Sequence, residues 1–295
     1  MKKSGSFLLI TLGFLVVLSS CSGSNPFNPQ NNDLQRTIEN KGSDTIVNLA
    51  LAWAEEYQSL NPEIRLSVTG GGSGTGIAAL INDTVDIANA SRRIKEEERE
   101  NALANGSDPV EFTIARDAIA VIVHLDNPVD HLTLEQISDI YSGKISNWLE
   151  VGGEDRPIVR LSRETNSGTH VYFLEEVIRL GDKKNTTLFS RNTLLLPSSE
   201  GIGAEIRQNP NAIGYDGLGY VTEEMKVIGV ATAAGNEYVY PSEETVNTGE
   251  YPIARDLYMY TNGQPEGAIA DYLEWILSVE AQKIVTELGF VPIVQ

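Results

Sequence analysis

The stretch IRLSVTGGGSGTGI, residues 64–77, decides how the rest of the chain is read. Ile64, Leu66 and Val68 alternate with Arg65, Ser67 and Thr69, the pattern of a half-buried strand. The strand runs directly into Gly70-Gly71-Gly72-Ser73-Gly74-Thr75-Gly76, and the apolar residues from Ile77 to Ile81 predict a helix after it. Upstream, Ile46, Leu49, Ala50, Trp53, Tyr57 and Leu60 recur at helical spacing behind Ser43, Asp44 and Thr45. They predict a capped amphipathic helix that Asn61-Pro62 ends. A short strand is expected around Val85 to Ala88. Helix, strand, glycine loop, helix and strand in that order describe an α/β protein with a mostly parallel sheet covered by helices.

The same unit returns later. Ile158-Val159-Arg160-Leu161 reads as a strand, Ser162 to Thr169 as a small-residue loop, and Val171 to Leu180 as a helix. The two loops share Ser-Gly-Thr, at 73–75 and 167–169, with no fixed short period between them, so the chain has two related halves and is not a solenoid. Between them, Ala118 to His124 forms a continuous apolar run, the mark of a strand buried on both faces. The charge-dense stretch Arg92 to Glu100 reads as a solvated helix face, with Arg93 at the surface.

The chain opens with Lys2 and Lys3, an apolar segment from Phe7 to Leu18, then Ser19, Ser20 and the only cysteine, Cys21. This is the grammar of an export leader, and the apolar segment is too short for a membrane span. Leu18-Ser19-Ser20-Cys21 resembles the lipobox of bacterial lipoproteins, which implies cleavage after residue 20 and a diacylglyceryl group on Cys21. Two acyl chains give a stable anchor. Residues 21–35, rich in Ser, Asn, Gln and Pro, read as a flexible tether. A single cysteine rules out an internal disulfide. The formal net charge of −19 repels nucleic acid and anionic lipid, which leaves the lipid as the attachment to the membrane.

An acidic chain that carries two Ser-Gly-Thr loops at helix starts still has a way to hold an anion. The first amides of a helix lack intrahelical partners, the peptide dipoles leave partial positive charge there, and Ser and Thr add hydroxyl donors. Other chemistries fit poorly. A Walker phosphate loop needs a lysine that GGGSGTGI lacks, and the helix that follows offers no acidic residue for a dinucleotide ribose. Gly72-Ser73-Gly74 is not a hydrolase elbow, and the three histidines, His124, His131 and His170, are scattered. His170 reads as an ordinary helix-start residue, and no metal-ligand spacing is present. Two glycine-rich turns without a ligand remain the plain alternative. Arg163, four residues before Ser167, adds a guanidinium able to fork onto two oxygens of a tetrahedral anion, or else to pair with Glu164 or Glu175.

With Gly42-Ser43-Asp44-Thr45, Gly72-Ser73-Gly74-Thr75-Gly76, Ala90-Ser91-Arg92 and Arg163-x-x-x-Ser167-Gly168-Thr169, the chain resembles the phosphate-binding proteins of bacterial phosphate ABC transporters, in their shorter branch. NAIGYDGLGYV (211–221), YPIARDLYMYT (251–261) and LSVEAQKIVTELGFVPI (277–293) extend the likeness over nearly the whole chain past the leader. The resemblance implies a type II periplasmic-binding-protein fold. Its lobes would be 36–117 with 255–295, and 118–254, joined by two crossings near 113–118 and 251–256. It implies a monomer without cofactor or catalysis that binds inorganic phosphate and delivers it to permease subunits. The alternatives kept open are another oxyanion (sulfate, molybdate or a phosphonate) and a sensing role. Ser43, Thr45, Ser73, Gly74, Ser91, Arg163, Ser167, Gly168 and Thr169 match the phosphate site. Where better-known members have an aspartate after Ala-Ser, this chain has Arg92. Asp44 is therefore expected to accept the phosphate proton, with Arg92 and Arg163 supplying charge from the two sides.

Overall fold

The computed structural model describes residues 36–293; the leader, Cys21 and the tether assigned from the sequence lie outside them. The described chain runs β1 (Arg36–Gly42), α1 (Asp44–Leu60), β2 (Ile64–Thr69), α2 (Ser73–Ile81), β3 (Ile87–Ala90), α3 (Glu96–Ala104) and β4 (Pro109–His124). It continues through β5 (His131–Thr133), α4 (Leu134–Ser142), β6 (Val159–Arg163), α5 (Gly168–Tyr172), β7 (Leu194–Leu196), α6 (Ser199–Gln208) and β8 (Ala212–Gly217). Last come β9 (Met225–Val227), β10 (Gly229–Ala231), α7 (Glu243–Asn247), β11 (Ala254–Asn262), α8 (Ala268–Ile276) and α9 (Val279–Glu287).

The main sheet has the order β2-β1-β3-β11-β4-β8-β6-β7. β1 pairs parallel with β2 and β3, and β6 pairs parallel with β7 and β8, so each Ser-Gly-Thr unit sits in a parallel patch. Antiparallel β11 and β4 join the patches, and β4 serves both: Pro109 to Ala118 pair with β11, while Ile119 to Val123 pair with β8. Each end of β4 feeds its own core. Ile114 and Ala115 pack with Ile38, Ile46, Trp53, Leu257 and Met259, whereas Ile119, Val121 and Val123 pack with Ile137, Tyr141, Phe173 and Tyr215. The second core is built on aromatic rings: Phe173 lies flat on Tyr215, centroids 3.6 Å apart.

Some boundaries differ from the sequence expectation, each for a local reason. α2 starts at Ser73 and not at Ile77, because Gly72, at φ 90°, turns the chain and its carbonyl accepts the N–H groups of Thr75 and Gly76. Ser-Gly-Thr is thus the first turn of the helix, where no apolar period could reveal it. The strand expected at 85–88 lies at Ile87–Ala90. α3 begins only at Glu96, and Arg92, read as part of a solvated face, is buried. Arg163, placed in the loop by the sequence, is the last residue of β6. The helix expected from Val171 starts at Gly168, then widens into a π-helical turn over Phe173–Ile178.

Candidate anion-binding site

The two Ser-Gly-Thr turns meet. The N–H of Gly74 donates to the Asn166 carbonyl at 3.1 Å, and Asn166 Nδ2 donates to the Gly71 carbonyl at 2.9 Å. Gly168 fits between Ser73 and Ser91 so closely that a Cβ there would lie 2.4 Å from Ser73 Oγ and 2.5 Å from Ser91 Oγ. Ser91 N–H donates to Ser73 Oγ (3.0 Å), and the two hydroxyls are 3.3 Å apart. Ser167 caps α5 by accepting the Thr169 N–H. The Thr45 and Thr169 hydroxyls are 2.7 Å apart. Ser43, Thr45, Ser73, Ser91, Arg92, Arg163, Ser167 and Thr169 are all buried polar residues, and the Ser43 hydroxyl has no hydrogen-bond partner among the described residues.

Three buried guanidinium groups belong to the same neighbourhood, and one of them, Arg255, contacts the hydroxyls directly. Arg163 is fully buried. Its Nη2 donates to Asp44 Oδ2 and to the Pro197 carbonyl, and its Nη1 to Ser199 Oγ, each at 2.8 Å. The pair to Asp44 is also an ion pair, and Asp44 Oδ1 accepts the Gly71 N–H at 2.8 Å. Asp44 therefore stands at the start of α1, where its charge suits the helix dipole, and ties α1 to both glycine turn and arginine. Arg92 forks onto Glu98 with contacts of 2.7 and 2.6 Å. Burial pushes the Glu98 carboxyl up, but the Arg92 hydrogen bond and charge outweigh it and hold the group below the usual range. The charge of Arg92 is thereby largely balanced from outside, and its Nε lacks a partner, as does that of Arg163.

The third guanidinium, Arg255, carries no local signal in the sequence. It sits on β11 opposite Asp117 of β4, pairs with it at 2.9 Å, and donates from Nη2 to Thr169 Oγ1 at 2.9 Å and Thr45 Oγ1 at 3.4 Å. Asp117 is fully buried; burial raises its pKa, against the opposing pull of Arg255. A cavity of about 350 Å³ adjoins the site, with Arg92, Arg255, Tyr172 and Tyr258 in its wall. Behind Arg163 lies another missed carboxylate: Ser199 Oγ donates to Asp216 Oδ1 at 2.9 Å. Arg255 and Asp216 both fall in segments that carried the family likeness, and a charge inside a buried strand is itself a sign of a buried partner. His170 is buried, with Nδ1 3.0 Å from Ser162 Oγ and its ring stacked on Phe189; burial lowers its pKa and keeps it neutral. Arg93 is well exposed. Among the described residues no His, Cys, Asp and Glu cluster is arranged for a metal ion, and no helix is long and apolar enough to cross a membrane.

Residues 28–280 match the family model of a PBP superfamily domain. The phosphate-binding protein PstS of Pseudomonas aeruginosa is 32% identical over 273 residues, covering 87% of this chain and 83% of its own. That of Bacillus subtilis is 30% identical over 303 residues, covering 99% and 95%. The chain belongs to the PstS family of phosphate-binding proteins. Solved structures of similar proteins agree. A candidate phosphate ABC transporter substrate-binding protein from Clostridium perfringens, with bound phosphate, has a TM-score of 0.78 at 31% identity, covering 88% of this chain and all of its own. An ABC-type phosphate transport receptor from Vibrio cholerae has a TM-score of 0.69 at 29% identity, covering 86% and 99%. The α/β architecture with its sheet divided about β4 and β11 is that of the type II periplasmic binding proteins.

Proposed function

We propose that this protein captures inorganic phosphate outside the cytoplasmic membrane and delivers it to an ABC permease, without catalysis and as a monomer. The observation that carries the reading is the meeting of two Ser-Gly-Thr helix starts, with the buried Arg163 tied to the first of them through Asp44. Peptide dipoles and hydroxyls there offer an anion donors that the acidic exterior does not. Ser43, Thr45, Ser73, Gly74, Ser91, Ser167, Gly168 and Thr169 form the cradle, Arg163 is its principal charge, and Arg255 borders it. Two lobes, 36–117 with 255–295 and 118–254, close on the ligand; the separate cores that share β4 support this division. Because only the closed form brings both cradles to one point, phosphate shifts the population towards it. The lipid on Cys21 holds the receptor at the membrane, and Cys21→Ser moves it to the soluble fraction.

Asp44 accepts the proton of the phosphate. Sulfate brings none at neutral pH and meets a bare carboxylate, which is how the site refuses it. Isothermal titration with phosphate, sulfate and arsenate tests the whole reading. Phosphate is expected to bind and sulfate not; a preference for sulfate, or no heat with any of the three, would overturn it. In Asp44→Asn the discrimination against sulfate is expected to shrink at least ten-fold.

A further inference from the structure

Three guanidinium groups and four carboxylates meet at this site: Arg92 with Glu98, Arg163 with Asp44, Arg255 with Asp117, and Asp216 behind Ser199. Three of the carboxylates have an arginine in direct contact. The fourth does not: Asp216 reaches Arg163 only through Ser199, whose hydroxyl accepts from Arg163 Nη1 and donates to Asp216 Oδ1. The N–H of Gly217 also donates to Oδ1, while Oδ2 is buried without a partner. The Asp216 side chain is 1% exposed, on a strand buried along its length. A bare carboxylate oxygen in such surroundings is costly when ionised. The charged and titratable groups around it are Arg163 on β6, Asp117 on β4, Tyr215 on the same strand and Tyr220 just beyond it; of these only Arg163 favours the anion. Burial pushes the carboxyl up to about 6 despite that arginine.

Bringing a dianion into the cradle therefore adds negative charge to a cluster that already has one carboxylate more than its cations can pair. We propose that Asp216 takes up the proton that accompanies phosphate capture, so that Oδ2 is protonated in the bound state and ionised in the free state near neutral pH. The inference rests on the phosphate reading of the site. It makes Asp216 a positioning and charge-compensating residue that acts through Ser199 and Arg163 without touching the ligand. The proton comes from solvent, the carboxylate becomes a carboxylic acid, and Arg163 is left with a single opposing carboxylate, Asp44, beside the ligand.

Titration calorimetry with inorganic phosphate at about pH 7, in buffers of different ionisation enthalpy, counts the protons bound with the ligand. The wild-type protein is expected to take up roughly half a proton or more per phosphate beyond Asp216→Asn. Equal counts in the two proteins, with phosphate bound by both, would overturn the proposal. Absence of phosphate binding by the wild type would instead overturn the phosphate reading itself. Asp216→Ser, which keeps an oxygen for the Gly217 N–H, is measured alongside in case the asparagine variant does not fold. On the wild type alone, infrared difference spectra on adding phosphate are expected to show a new protonated-carboxyl stretch that persists in Asp44→Asn. Its absence from the wild type would also overturn the proposal.

Discussion

Arg163 shows how much a single side chain carries here. It is fully buried, holds Asp44 directly and Asp216 through Ser199, and stands four residues before the cap of α5. Truncating the cation that faces a buried, bound anion costs on the order of 2–5 kcal/mol of affinity. Arg163→Ala is therefore expected to weaken phosphate binding by a hundred-fold or more by calorimetry. Near-wild-type affinity would contradict the assignment. Asp216 gives a second prediction at this scale. Its folded pKa, about 6, exceeds the ordinary 3.8, so the folded state binds more protons between these values and stability contributed by this group falls as pH rises through the window. Asp216→Asn should gain on the wild type from about pH 4 to pH 6 and then level off, by about 3 kcal/mol at most, measured as the difference between their denaturant curves. A difference independent of pH would refute it. The residue types of the cradle were legible in the sequence because Ser-Gly-Thr occurs twice. The partners of the arginines were not, because Glu98, Asp117, Ser199 and Asp216 have no fixed spacing from them.

The elements that matter most are the starts of α2 and α5. Each follows a parallel strand, α2 coming off β2 at the edge of its patch and α5 off β6 in the middle of the other, and the hydrogen bonds of Asn166 with Gly74 and Gly71 hold the two first turns together. Their approach depends on a missing side chain at Gly168, where a Cβ would strike Ser73 Oγ and Ser91 Oγ. Both neighbours are buried and cannot swing aside cheaply. Gly168→Ala is expected to raise the phosphate Kd at least ten-fold by calorimetry. Unchanged affinity would mean that the two turns need not approach this closely to bind. The periodicity gave α1 and β2 correctly, but not the true starts of α2 and α5, since polar and glycine residues at a first turn carry no apolar signal.

At the scale of the molecule, β4 is the part that belongs to both halves: residues to Ala118 pair with β11, and residues beyond it with β8. Tyr251 and Tyr172 brace this region, their hydroxyls donating to the carbonyls of Ile119 and Ala254. A ligand that binds only the folded form converts binding into stability. Phosphate at a hundred times its Kd is expected to stabilise the wild-type protein by about 2.7 kcal/mol, read as an upward shift in melting temperature that sulfate does not produce. No shift under saturating phosphate would count against binding to the folded form.

The sequence by itself determined the class of fold, the two repeated strand, turn and helix units, and the residue types of the cradle. These are local matters, set by side-chain alternation, helical spacing and small residues at helix starts. Only the tertiary structure decided that the two turns meet, that Arg92 faces Glu98 while Arg163 faces Asp44, and that Arg255 and Asp216 join them. Charge pairing in a buried site depends on distances between strands far apart in the chain, and no pattern along one strand records those distances.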